Sequence, residues 1–333
     1  MTSEGALLNR IRKAVLSDGG RKAGCVRLGI GDDAAILKPR RGRELILSSD
    51  FLIEGVHFLP ADPPNAIGNK ALARAVSDLA AMGAEPIGFL LNLAMPSALT
   101  GAWLDKFLKG MDQAARKFCI PLIGGDLANN EQVAICIVVL GDVPSGRAIQ
   151  RSGARPGDLI YVSGKLGAAR LGLEISRKRF DKRSDARALL APHLYPTPRL
   201  ELGRWLASHR VATAMMDISD GLSIDLARLC EASRVGAILY ADCIPEARIP
   251  EPWRQRLRLS PSAGLDFALN GGDDYELVFT VPERRVKELK RAPTGVRLTC
   301  IGEVTRKQEL LLINSAGQES LLQIHGWDHF RRR

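Results

Sequence analysis

Several features that would take this chain out of the ordinary globular class are missing or scarce. Long apolar runs are absent: the longest, Val133 to Leu140, is eight residues, against roughly twenty needed to cross a bilayer. No membrane-spanning helix and no membrane partner are expected. The opening segment MTSEGALLNRIRKAVLSDGG mixes acid and base and lacks the apolar core of a secretory signal, so a cytoplasmic location is expected. Cysteines are few and scattered (Cys25, Cys119, Cys136, Cys230, Cys243, Cys300), with no C-x-x-C pair, which removes support for a zinc site or a disulfide framework. No short-period repeat is visible. Aromatics make up 5% of the chain, and none interleave with its basic runs as stacking platforms for nucleic acid require.

Against these absences stand 333 residues, 46% of them apolar, with 47 Lys plus Arg and 37 Asp plus Glu. That length suggests two domains, each able to bury its own core. The positive balance favours anionic partners, but the charge is dispersed. The dense runs Lys38 to Arg43, Arg177 to Arg183 and Arg331 to Arg333 read as solvated loops and tails. A basic nucleic-acid-binding protein is therefore a distant alternative, and no nucleic-acid partner is expected.

Between residues 43 and 140, strand-like runs at Glu44 to Ser49, Ile87 to Met95 and Val133 to Leu140 alternate with helical patterns at Ala66 to Met82 and Gly101 to Phe118. Gly83 is placed as a helix stop. The segment Gly141 to Asp158 concentrates Gly, Pro and basic residues, which puts a boundary near 146 to 150 and domains at 1–148 and 149–333. Strands are expected in the second domain at Leu159 to Ser163, Thr213 to Met216, Ala237 to Tyr240, Tyr275 to Val281, Leu298 to Val304 and Leu310 to Asn314. Helices are expected at Ala168 to Lys178, Arg199 to Ser208, Gly221 to Ser233 and Arg284 to Arg291.

The acids are more telling than the bases. Asp32 and Asp33 (LGIGDDAAIL), Asp50 (LILSSDFLIEGVHF), Asp126 (PLIGGDLANN), Asp217 and Asp220 (MMDISDGLSIDL), and Asp273 and Asp274 (NGGDDYELVF) gather in turns at strand ends, and Asp78 lies in the helix AVSDLAAMG. Singly, each has a structural reading. Asp stabilises turns, Asp220 could cap the helix that starts at Gly221, and Asp78 could pair with Arg74 four residues earlier. Collectively, hard oxygens from several turns suit Mg²⁺, with phosphate oxygens and water completing its shell. Two commoner phosphate motifs fail. Gly29, Gly31 and Ala34 fit G-x-G-x-x-A, but Pro39, a loop and a strand follow where the motif needs a helix. Around Lys165, SGKLGAARLG lacks P-loop spacing.

The series GIGDDAAIL, SSDFLIEGVHFLP, NKALARAVSDLAAMGA, LIGGDLA, RSGARPGDLIYVSGKLG, HLYPTPRLELG, DISDGLSIDL and GGDDYEL, ending in GWDHF, resembles the thiamine-monophosphate kinase family in order from Gly29 to Phe330. The resemblance implies the two-domain α+β fold shared with aminoimidazole ribonucleotide synthetase, each domain a mixed sheet packed with helices. It implies a homodimer formed through the N-terminal domains, and transfer of the ATP γ-phosphoryl group to thiamine monophosphate with several Mg²⁺ ions. Carried over, the metal ligands fall on Asp33, Ser48, Ser49, Asp50, Asp78, Asp126, Asp217 and Asp220. Of these, Asp33, Asp50, Asp126 and Asp220 are taken as catalytic. Nucleotide contacts fall on Gly125, Asp126, Arg151 and Ser219, and thiamine contacts on His57, Asp273 and Trp327. The chain departs from the family at Asp273, where GGEDYE is usual; the side chain is one methylene shorter, so a water would bridge it to the aminopyrimidine. Read from the residues alone, His57 could instead be a packed side chain, Trp327 a tail anchor and Arg151 a solvated loop residue. Selenophosphate or aminoimidazole ribonucleotide synthesis on the same fold is the alternative activity. The VHF turn and GWDHF favour thiamine, and Cys25 is not in a selenophosphate-synthetase context.

Overall fold

The computed structural model describes residues 4–15, 25–180, 184–293, 295, 297–327 and 330. The end of the basic run Arg177 to Arg183, the run Arg331 to Arg333, and Asp328 and His329 of GWDHF lie outside the described residues. By its contacts the chain divides into two compact units, residues 1–79 with 84–146, and residues 80–83 with 147–333.

In the first unit, α1 (Glu4–Ala14) and a ribbon of β1 (Val26–Leu28) with β2 (Ile36–Leu37) precede β3 (Arg43–Ile53) and α2 (Pro64–Ala81). Then come β4 (Glu85–Met95), α3 (Ala102–Phe118), β5 (Leu122–Asn129) and β6 (Ala134–Pro144). The four-stranded sheet runs β3-β6-β4-β5. All neighbours are antiparallel except β4 and β5, and that parallel step needs a crossover, which α3 supplies. Successive side chains of β3 leave opposite faces. Ser48 and Asp50 turn toward α2, whereas Leu45, Leu47, Ser49 and Phe51 are exposed on the other side. Over that outer face the ribbon lays Val26, Ala35 and Leu37 against Leu90, Val138 and Leu140.

Two glycines bring α2 and α3 together. A Cβ on Gly110 would lie 1.8 Å from the Asn65 carbonyl oxygen, and one on Gly68 would lie 2.1 Å from that of Phe107. The segment LIGGDLA, expected to be a turn, is instead the body of β5, and Asp50 likewise lies within β3. Glycine is needed there for close approach: a Cβ on Gly124 would meet Leu90 at 2.9 Å and one on Gly125 the Leu91 carbonyl at 1.9 Å. The run Lys38 to Arg43 is also not simply solvated. Arg40 donates from Nε to Asp142 Oδ2 at 2.7 Å and from Nη2 to Glu85 at 2.8 Å. Asp142 is fully buried, and burial of a carboxylate requires such partners.

The second unit holds β7 (Asp158–Ser163), α4 (Ala168–Arg177), α5 (Arg187–Leu194), α6 (Leu200–His209), β8 (Ala214–Asp217), α7 (Leu222–Ser233) and β9 (Gly236–Tyr240). It continues with α8 (Glu251–Leu257), α9 (Ala263–Asn270), β10 (Leu277–Pro282), β11 (Leu298–Thr305), β12 (Leu310–Ile313) and β13 (Glu319–Leu321). Its sheet runs β13-β12-β9-β11-β7-β10-β8. One core joins Leu222, Leu226 and Leu229 of α7 and Ala268 of α9 to Ile160, Met216 and Val278. The other joins Leu202 and Leu206 of α6 to Tyr161, Met215 and Phe279. The alternation along β7, β8 and β10 thus fills both faces. The helix expected at Arg284 to Arg291 is a 3₁₀ helix over Glu283–Arg291, with Val286 and Leu289 packed on the second core.

Gly110→Ala is expected to destabilise the protein by about 3 kcal/mol, because the added methyl group has no room without parting α2 and α3. Thermal unfolding of the purified variant checks this; an unchanged midpoint would mean that the helices separate freely.

Candidate active site

In the first unit, the acids singled out from the sequence fall into two sets. On the helix side of the sheet, Arg74 of α2 forks onto Asp50, with Nε–Oδ2 at 3.0 Å and Nη2–Oδ1 at 3.2 Å, and Ser48 Oγ donates a short hydrogen bond to Asp78 Oδ2. Arg74 thus reaches from the helix across to the strand, a partner that spacing along α2 does not offer. The other set borders a cavity of about 1020 Å³ lined by Arg12, Asp32, Asp33, Asn92, Gly124, Gly125 and Asp126, among others. The backbone N–H of Leu127 donates to Asp126 Oδ1 at 2.9 Å. No helix follows Gly31 to Ala34, only a turn and β2, which agrees with rejection of the dinucleotide motif. His57 is half-buried in the turn after β3, where its Nδ1 accepts the N–H of Ile53 at 3.0 Å.

In the second unit, β8 and β10 are antiparallel neighbours with Asp217 opposite Leu277. The end of β8 therefore meets the segment leading into β10, which brings Asp217, Ser219 and Asp220 beside Asp273. Backbone bonds complete the join. Tyr275 N–H donates to Ile218 O at 2.9 Å, Asp273 N–H to Ser219 O at 2.8 Å, and Trp327 N–H to Asp220 O at 3.0 Å. Four of the sequence-derived site residues, Ser219, Asp220, Asp273 and Trp327, are thus linked through one turn. Arg151 is exposed, and its carbonyl accepts from Ser233 Oγ at 3.0 Å.

Seven non-glycine residues have positive φ among the described residues. Five of them (Cys119, Arg179, Arg210, Arg234, Arg258) end helices, and the other two are Asp273 (φ 68°) and Tyr275 (φ 51°). Aspartate tolerates this region, whereas a buried tyrosine rarely adopts it. Such strain persists only where surrounding contacts over-determine it and gathers at functional sites. Here the Tyr275 hydroxyl donates to Asp273 Oδ1 at 2.8 Å, fixing the carboxylate expected to face thiamine.

Two residues of this site, Asp225 and Arg228, were not singled out from the sequence. Asp220 does not cap α7, whose first residue follows Gly221 without a side-chain cap. Asp225, one turn into the helix, reaches back instead. Its Oδ2 accepts the N–H groups of Ser219, Asp220 and Gly221 at 3.0, 2.9 and 3.1 Å. Arg228 then bridges Asp225 Oδ1 at 2.8 Å and Asp220 Oδ2 at 2.6 Å. Burial, followed by the charge of Asp220, raises the Asp225 carboxyl to about 6, while the N–H groups of Asp220 and Gly221 and the charge of Arg228 favour its ionised form. Asp274, named from the sequence only as a turn acid, is on the wall of a cavity of about 670 Å³ with Lys165, Arg199 and Glu276. Burial pushes its carboxyl from 3.8 to about 8, aided by Glu276 and Asp273, although the N–H groups of Gly167 and Ala169 at the start of α4 favour the charged form.

The donors fit Mg²⁺ in kind, being carboxylates and hydroxyls. Among the described residues, no three His, Cys, Asp or Glu side chains are gathered as a metal group. That is compatible with Mg²⁺, which takes one or two carboxylates and draws its remaining ligands from water and substrate phosphates.

The model of the AIR synthase related protein, N-terminal domain, matches residues 31–143, and that of the C-terminal domain matches residues 155–313. The thiamine-monophosphate kinase of Escherichia coli K12 is 40% identical over 309 residues, 92% of each chain. The chain belongs to the thiamine-monophosphate kinase family, within the AIR synthase related proteins. A crystal structure of the Stenotrophomonas maltophilia enzyme matches with a TM-score of 0.81 at 36% identity, covering 93% of this chain and 96% of that one. A ThiL structure complexed with AMPPCP and TMP matches with a TM-score of 0.78 at 30% identity, covering 98% and 97%. The two-domain α+β fold expected from the sequence is the fold of this family. No helix is long and apolar enough to cross a membrane among the described residues.

The raised pKa of Asp274 sets a pH dependence. Its protonated form is favoured in the folded state, so this contribution to stability is complete below about 3.8 and is lost as pH rises through about 8. Asp274→Asn, neutral throughout, is expected to gain in unfolding temperature relative to the parent between pH 5 and pH 9. A difference that stays constant over that range would show that Asp274 is already ionised in the folded protein.

Proposed function

We propose that the chain transfers the γ-phosphoryl group of ATP directly to thiamine monophosphate, giving thiamine diphosphate and ADP, with Mg²⁺ ions held by Asp33, Ser48, Ser49, Asp50, Asp78, Asp126, Asp217 and Asp220. The observation that carries the reading is the turn at Ser219 and Asp220, whose carbonyls receive the backbone of Asp273 on one side and Trp327 on the other. Residues assigned to the nucleotide and to thiamine share one piece of backbone.

The acceptor needs no general base, since a phosphate monoester has a second pKa of about 6 and is mostly ionised at neutral pH. The obstacle is repulsion. Two groups of charge about −2 at about 5 Å repel by on the order of 10 kcal/mol at an effective dielectric of about 20. The metal ions supply the offsetting positive charge. The aspartates hold that charge in place, Gly125 borders the cavity beside Asp126 as a nucleotide contact, and Arg151 and Ser219 orient the nucleotide. Trp327 offers an aromatic wall to the thiazolium cation, Asp273, braced by Tyr275, accepts from the aminopyrimidine, and His57 is the remaining thiamine contact. The reading carries a cytoplasmic location, which six free cysteines support.

It also carries a homodimer. The edge strand β3 exposes Leu45 (42%), Leu47 (62%) and Phe51 (58%) along one face, a strip that a second copy would cover. The parent chain is expected to run at twice its monomer mass in light scattering and Leu47→Asp at the monomer mass. A monomeric parent would sink the dimer.

The deciding assay mixes ATP with thiamine monophosphate or free thiamine, with and without Mg²⁺. Diphosphate product should form from the monophosphate alone and only with metal. Asp126→Asn should lower turnover by on the order of a hundredfold or more with unfolding unchanged. A variant that retains full activity per folded molecule but unfolds early would make Asp126 structural. Direct transfer predicts no labelled protein after a single turnover with γ-labelled ATP; label on Ser48, which donates to Asp78, would overturn it.

A further inference from the structure

We infer that Asp225 is the positioning residue of the site: a buried carboxylate that sets the orientation of three consecutive peptide planes and, through them, the spacing between the nucleotide turn and the thiamine-binding residues. The inference deepens the function proposed above and rests on it.

The argument starts from the planar trans peptide, in which the N–H and the C=O of one unit point in opposite directions. In the unit joining Ile218 to Ser219, the N–H donates to Asp225 Oδ2 and the C=O accepts from Tyr275. In the next unit, the N–H of Asp220 donates to the same oxygen and the C=O of Ser219 accepts from Asp273. In the third, the N–H of Gly221 donates to it again and the C=O of Asp220 accepts from Trp327. One oxygen atom thus fixes the donor side of three planes, and their acceptor sides hold the three residues on which the thiamine end depends. Gly221 (φ 127°) gives the chain the turn needed to aim all three N–H groups inward.

Nothing else in the turn can do this. The N-cap Gly221 has no side chain, and α7 shows no side-chain cap bond at its start. Without Asp225, three adjacent N–H groups would lose their acceptor, and groups of this kind are almost always satisfied when buried. Asp225 itself is fully buried, where an unpaired charge is costly. Its second oxygen is met by Arg228, which also holds Asp220 Oδ2. The Arg228 guanidinium therefore orients the side chain of Asp220 while Asp225 orients its backbone.

The test uses the full chain with Asp225→Ala and with Asp225→Asn, which keeps an oxygen of the same shape. Hydrogen exchange by mass spectrometry, without substrate, reads the peptide spanning Ser219 to Gly221 against one from β10. Binding of AMPPCP with Mg²⁺ is measured by calorimetry, and steady-state kinetics follow. The Ala variant should exchange about tenfold faster at the turn alone and bind the nucleotide about tenfold more weakly, since three charge-assisted bonds are lost. The KM values for both substrates should rise by more than kcat falls, and the Asn variant should recover part of each change. Parental exchange at the turn together with parental nucleotide affinity in the Ala variant overturns the inference. So does a loss confined to unfolding temperature, with KM unchanged per folded molecule. If the Ala variant does not fold, the Asn variant decides by the same readings. Absence of thiamine monophosphate phosphorylation by the parent chain would sink the proposed function and leave the exchange result to judge Asp225 separately.

Discussion

A single carboxylate oxygen that accepts three successive N–H groups governs the geometry of the second unit's site. Asp225 lies in the first turn of α7, whose apolar residues Leu222, Leu226 and Leu229 are packed in the core, so its position is inherited from the rigid part of the fold. The turn at Ser219 to Gly221 has no such packing of its own. Strain at Asp273 and Tyr275, the close approach of β8 and β10, and the attachment of the C-terminal segment at Trp327 all depend on that turn holding one shape. The route from core to chemistry is short: helix packing fixes one acid, and the acid fixes the peptide planes.

The first unit solves a different problem. Two of its acids, Asp50 on β3 and Asp78 on α2, are held by side-chain partners that supply what a bare carboxylate lacks. Arg74 neutralises Asp50, and Ser48 donates to Asp78. A carboxylate kept ordered in this way loses less side-chain freedom when a cation replaces its partner. On the proposed reading, both units serve the same electrostatic need, to let two anionic phosphates approach closely. On that reading the acids serve cations and not the substrate, which would account for aspartates at the site of a chain with net charge +10.

Much of this was legible in the sequence because the local signals were strong. The three long strands of the first unit and the helices α2 and α3 follow from period and glycine punctuation. In the second unit, most strands fall within a few residues of expectation. Where local signals conflicted with tertiary demands, the sequence misled. Gly124 and Gly125 look like a turn, yet they serve close packing of β5 on β4. The helix α5, with Pro192 inside it, and the short helices α8 and α9 carry too little periodicity to stand out. Among site residues, the motif acids, Ser219 and Trp327 were visible as motif positions. Asp225 was not, because its role is defined by where three N–H groups point. The pairing of Arg74 with Asp50 was also hidden, since spacing along a helix offers only the neighbour four residues away.

The central proposal is that the motif aspartates hold divalent ions against the phosphates of the two substrates. The most direct measurement is anomalous diffraction from crystals grown with Mn²⁺, a non-hydrolysable ATP analogue and thiamine monophosphate. The account predicts metal peaks directly coordinated by carboxylates from the set Asp33, Asp50, Asp78, Asp126, Asp217 and Asp220, and by phosphate oxygens. Nucleotide bound with no metal on any of these residues would contradict it.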